Sequence, residues 1–127
     1  MAEQEHHEGL IKGIAEQMKI LLTESEQAIY IYLDDSHKIC NKKFADLMGY
    51  KSPKAWADSE APLSDVLEDD QQKVIDAYSN ASEKGIASST NVKMKNVKTG
   101  EVLKINLIIS PIIYEGHIFT VHFLSKV

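Results

Sequence analysis

A chain of 127 residues, 43% apolar and 26% charged, has the size and balance of one globular domain, which excludes two ordinary cores and a disordered or fibrous chain. Its net charge of −5 comes from 19 acidic against 14 basic side chains, and every base is lysine. An acidic chain without arginine is a poor reader of nucleic acid and a poor ligand for anionic membrane surfaces.

The first eight residues are polar, carry the adjacent His6 and His7, and lack any period that would bury a face, so residues 1–8 are expected to be a disordered end. From Gly9 to Glu24 the apolar residues Leu10, Ile11, Ile14, Met18, Leu21 and Leu22 recur at helical spacing, with Lys12, Glu16, Lys19 and Thr23 opposite. An amphipathic helix over 9–25 follows. Ala28-Ile29-Tyr30-Ile31-Tyr32-Leu33 reads as a strand, Asp34-Asp35-Ser36 as a turn and Lys38-Ile39-Cys40 as the returning strand. Asn41 then stands before a short apolar helix that ends at Gly49, a pattern of N-cap and glycine C-cap. Short helical turns are expected between Ser52 and Leu67, where two prolines interrupt the pattern.

A longer helix runs from about Asp69 to Lys84, with Asp69 and Asp70 suited to its positive end and Val74, Ile75, Tyr78 and Ala81 on its buried face. The last third reads as three strands, Ile86–Val97, Val102–Ile113 and His117–Leu124, joined by turns at Thr99-Gly100 and Glu115-Gly116. No apolar run approaches the ~20 residues of a membrane helix, and no basic segment with an apolar stretch opens the chain. A cytoplasmic protein is expected, and the single cysteine, Cys40, fits a reducing compartment.

In this order the segments resemble the PAS family. Ala28-Ile29-Tyr30-Ile31 followed by Asp34 looks like its opening strand and turn. The stretch from Asn41 to Gly49-Tyr50 looks like its asparagine-led helix, Leu67-Glu68-Asp69-Asp70 like its acidic lead-in, and Thr99-Gly100 like its glycine hairpin. The resemblance spans about Glu26 to Lys126 and assigns 26–127 to the domain proper. It implies an α+β fold: a five-stranded antiparallel sheet with helices on one face, cradling a small cavity, and a flanking N-terminal amphipathic helix. Met48, Trp56, Leu67, Val74 and Tyr78 would then roof the cavity and face Ile105, Leu107, Ile109, Phe119, Val121 and Phe123 from the sheet, with Asn41 as a further pocket candidate. Whether these side chains leave a pocket or fill it is open on this reading.

Cofactor signatures of the resembled family are missing. Ala61-Pro62-Leu63-Ser64-Asp65 occupies the region where flavin-binding relatives carry their reactive cysteine, and the long helix has no histidine for haem. The cofactor is therefore unknown. Cys40, at a strand end, reads as packing. Strand alternation sends His122 to the face opposite Phe119, Val121 and Phe123, which reads as a partner-facing or solvated imidazole. His6-His7 has no third ligand nearby in sequence, so no metal site is expected. Glycine-rich phosphate loops, a nucleophile elbow and a zinc-protease motif are all lacking, and no catalytic residue is assigned.

Two readings remain, a sensor for a small apolar ligand that signals through protein contacts and a ligand-free interaction module. Both imply a separate effector protein, since no effector sequence follows Val127. Both also expect a homodimer through Leu10, Ile11, Ile14, Met18, Leu21 and Leu22, whose stripe is too apolar to be left in water.

Overall fold

Strand-forming runs from the two ends of the chain meet in one sheet. In the computed structural model, which describes the backbone of residues 2–127 and side chains from His6 onward, β1 (Ala28–Asp34), β2 (His37–Cys40), β3 (Ser88–Lys95), β4 (Val102–Tyr114) and β5 (His117–Lys126) lie in the order β2-β1-β5-β4-β3. Every neighbouring pair is antiparallel. The α+β class and five-stranded antiparallel sheet expected from the sequence are those observed. The β4–β5 turn is Glu115-Gly116, with φ of 53° and 76°, the left-handed pair that matches the twist of a two-residue hairpin.

Helices α1 (Ala2–Gln17) and α2 (Lys19–Glu24) precede the sheet, and α3 (Lys42–Met48), α4 (Pro53–Ala57) and α5 (Gln71–Lys84) fill its middle connection. Asn41 caps α3 by accepting from the Phe44 amide at 2.9 Å. Gly49 ends that helix at φ 84°, where a β-carbon would collide with the Asn96 side chain. Of the segment expected to be disordered, residues 2–8 are helical and Met1 lies outside the described residues. The helix expected over 9–25 starts earlier and breaks at Met18. Apolar periodicity could not mark the early turns, because polar contacts from His6 and His7 hold them to the sheet.

Period-two alternation gives the sheet two apolar faces and the domain two cores. On the inner face Tyr30, Val92, Met94, Ile105, Leu107, Ile109 and Leu124 pack under Phe44, Met48, Trp56, Val74 and Ala77 from α3, α4 and α5. On the outer face Ile29, Ile31, Phe119 and Val121 pack against Leu10, Ile11 and Ile14 of α1. Burying such aliphatic side chains stabilises by roughly 1.5–3 kcal/mol each, which fixes α1 on its own sheet.

Candidate functional site

The inner core borders a hollow over β1 and β5. Between β1, β5, α5 and the loop before Leu63 lies a cavity of about 250 Å³. Tyr30, Tyr32 and His122 form its sheet wall, Val74, Ile75 and Tyr78 its helix wall, and Pro62 and Leu63 its roof. The exposed carboxylates Asp35 and Glu60 stand at its rim. A larger hollow of about 670 Å³ beside Ser36, Asp58 and Ser59 is open polar surface.

Aromatic contacts set the sheet wall. The His122 ring stacks on Tyr30 with centroids 3.9 Å apart and planes 17° from parallel. Tyr78 meets Tyr32 edge-on at 5.4 Å, and the Tyr32 hydroxyl donates to Asp35 Oδ1 at 2.6 Å. Burial raises the Tyr30 and Tyr32 phenols above their ordinary range, the Tyr32 hydrogen bond to Asp35 adding to the effect. Both stay protonated. Lys38 stiffens the rim: its buried ammonium donates to the carbonyls of Asp35 at 2.5 Å and Ser59 at 2.7 Å, and burial lowers its pKa.

His122 is the unusual group of this wall. It is 2% exposed, and burial pushes its pKa down to about 3, so the ring is neutral at physiological pH. Its Nε2 lies 2.8 Å from Thr120 Oγ1, while Nδ1 is buried and has no hydrogen-bond partner among the described residues. Such an orphan costs about 1–3 kcal/mol.

The residues singled out from sequence separate into four groups. Val74 and Tyr78 line the cavity. Met48, Trp56, Ile105, Leu107 and Ile109 are buried in the adjoining inner core, whereas Leu67 is only half-buried and Val66 takes the core position. Asn41 is engaged by backbone, accepting from Ile29 and Phe44 and donating to the Gln27 carbonyl. Phe119, Val121 and Phe123, expected under the roofing helices, lie instead on the outer face against α1. The alternation that separates them from His122 holds, but the assignment of faces is reversed. His122 is consequently neither solvated nor partner-facing, and it lines the cavity. Cys40 is buried and its thiol is pushed up to about 12 by burial.

A second constellation lies at the end of the sheet beside α1. His7 Nδ1 is 3.1 Å from Asp34 Oδ2, and His37 Nδ1 is 2.7 Å from Asp34 Oδ1. His6 Nε2 meets His117 Nε2 at 3.0 Å. Asp34, at the end of β1, thus bonds both His7 of α1 and His37 of β2.

No family model matches the sequence, and no curated protein matches it. Solved structures match its shape. The PAS domain of a protein from Colwellia psychrerythraea aligns with a TM-score of 0.69 at 18% identity, covering 90% of this chain and 97% of that one. The PAS domain of an HTR-like protein from Haloarcula marismortui gives 0.67 at 14%, covering 97% and 99%. This is the PAS fold. A LOV protein from Rhodobacter sphaeroides aligns with a TM-score of 0.73 at 11% identity, covering 91% of this chain and 68% of that chain. Within this PAS fold the cavity lies between strands β1 and β5 and helix α5. Among the described residues no helix is long and apolar enough to cross a membrane.

Proposed function

We propose that this PAS domain is a sensory module that takes a small uncharged or cationic organic molecule into the cavity beside His122. The observation that carries the reading is the buried, unpartnered Nδ1 of a neutral His122 in the wall of an otherwise apolar and aromatic cavity. At about 250 Å³ the cavity lies below the ~300–1,000 Å³ of drug-sized sites, so the ligand is small. Asp35 and Glu60 at the rim repel anions, the tyrosines stay uncharged, and the Lys38 ammonium at the rim is taken up by the carbonyls of Asp35 and Ser59. A ligand bonded to His122 on β5 acts on the strand whose other side, at Phe119 and Val121, carries α1. Its signal passes to a separate effector through the α1 face.

The test is chemical-shift mapping with a library of neutral, cationic and anionic monocyclic compounds, alongside native mass spectrometry of the purified chain. Neutral or cationic binders should shift resonances of Tyr30, Tyr78 and His122, and His122→Phe should weaken them by about ten-fold, the loss of one hydrogen bond. If no compound perturbs the cavity, or if only carboxylates do, the reading fails.

A second reading, a ligand-free interaction module that forms a homodimer, is favoured by apolar surface that the fold leaves uncovered. Ile20 on α2 is 72% exposed and Ile113 at the end of β4 is 74% exposed, while Met18, Leu21 and Leu22 are only partly buried. Leu10, Ile11 and Ile14 already pack on their own sheet, so the α2 end of the stripe would make the contact. Light scattering that finds a monomer at high micromolar concentration would remove this reading.

A further inference from the structure

Four of the five histidines gather at one end of the sheet, although they lie far apart in sequence. His6 and His7 come from α1, His37 from the start of β2 and His117 from the start of β5. The β1–β5 pairing brings the Asp34–His37 turn and the Glu115–His117 turn to the same end, where α1 passes over them. One ligand atom each from His7, Asp34 and His37 lies within 4.8 Å of the others.

We propose that His7, Asp34 and His37 form a binding site for a divalent transition metal of the zinc class. Two imidazoles and a carboxylate are a donor set that suits zinc and its neighbours and suits magnesium or calcium poorly. The geometry is close to what the ion requires. Ligand atoms about 2.0–2.1 Å from a tetrahedral ion stand about 3.3 Å from one another. The two nitrogens here stand 2.7 and 3.1 Å from the two different oxygens of Asp34, and the three donor atoms all lie within 4.8 Å of one another, so modest side-chain movements bring them to that spacing. Imidazoles sharing a tetrahedral ion have ring centroids about 5 Å apart, and the rings of His7 and His37 are 5.5 Å apart. Water fills the fourth position.

The surroundings favour a cation. Asp35 follows Asp34 and adds a second carboxylate, and the nearby Lys38 ammonium is turned to the carbonyls of Asp35 and Ser59 rather than to Asp34. Asp34 is also held in place, because its Oδ1 accepts from the Ser36 amide at 3.0 Å. His37 is buried and His7 half-buried, which fixes two of the three donors before an ion arrives. Such a metal would bridge α1 to the β1–β2 turn and fasten the N-terminal helix to the sheet.

The experiment is calorimetric titration of the chelator-stripped full chain with zinc chloride, followed by thermal unfolding with and without the ion. One ion per chain should bind at low micromolar concentration or tighter, Tm should rise, and magnesium chloride should leave Tm unchanged. His7→Gln and D34N should each weaken zinc at least ten-fold while the circular dichroism spectrum stays that of the parent. Should D34N misfold through loss of its turn, His7→Gln, on the helix side of the site, decides alone. Absence of saturable binding would overturn the proposal. Undiminished binding by His7→Gln would do the same, since the ion would then be held elsewhere, for instance at His6 and His117.

Discussion

The imidazole of His122 and the phenol of Tyr30, opposite one another on β5 and β1, lie ring on ring at 3.9 Å and 17° in the wall of the cavity. Stacking on Tyr30 and an exposure of only 2% leave the ring too little water to solvate a charge. Its pKa accordingly falls from 6.5 to about 3. The unfolded chain then takes up a proton that the folded chain refuses. Stability that is full above about pH 6.5 should decline as the pH falls from there towards 3. His122→Phe, which keeps the ring but cannot be protonated, should flatten this acid limb by an amount on the order of a few kcal/mol, read from urea unfolding at a series of pH values. A His122 nuclear resonance that titrates between about pH 5 and 8 would contradict the argument.

Cys40 should behave as an inert thiol while the protein is folded. Its burial pushes the pKa up to about 12, so almost no thiolate exists at pH 8. A thiol-reactive dye should label the native chain at least about a hundred-fold more slowly than the urea-unfolded chain, with the rate tracking global unfolding. Rapid labelling without denaturant would show that the β2 end opens locally.

Asn41 joins three segments with one amide group. Its Oδ1 accepts from Phe44 at 2.9 Å and Ile29 at 3.1 Å, and its Nδ2 donates to the Gln27 carbonyl at 2.9 Å. Asn41→Ala leaves all three backbone groups without this partner and should cost roughly 2–4 kcal/mol, more than loss of a cap alone. Chemical denaturation measures it, and a loss under about 1 kcal/mol would mean that water replaces the amide.

Gly13 lets α1 approach β4. A β-carbon there would collide with the hydroxyl and ring of Tyr114. On an isolated helix Gly13→Ala would stabilise by about 1 kcal/mol, yet in this protein it should destabilise, because the tyrosine must leave its place against the outer core. Combining it with Tyr114→Ala should restore the gain. Equilibrium unfolding of the four proteins gives the coupling directly, and additive effects would show that the two residues do not meet.

The sequence by itself determined the elements. Alternation and turn residues marked all five strands, the Asn41 cap and the Gly49 stop marked α3, and the apolar period of Val74, Tyr78 and Ala81 marked α5, because these signals act over a few residues, whereas Ile75, expected on the same buried face, is exposed and Ala77 is buried there instead. It also showed that His122 and the Phe119–Val121–Phe123 set point to opposite faces. Only the tertiary structure decided which face receives which helices. Both faces of β5 are apolar enough to be covered, so periodicity could not choose between α1 and the α3–α5 layer, and the choice turned His122 from a surface residue into a cavity wall. The meeting of His7, Asp34 and His37 was equally hidden. It depends on β1 pairing with β5 and on α1 lying across the end of that pair, contacts between residues up to 111 positions apart that no local pattern encodes.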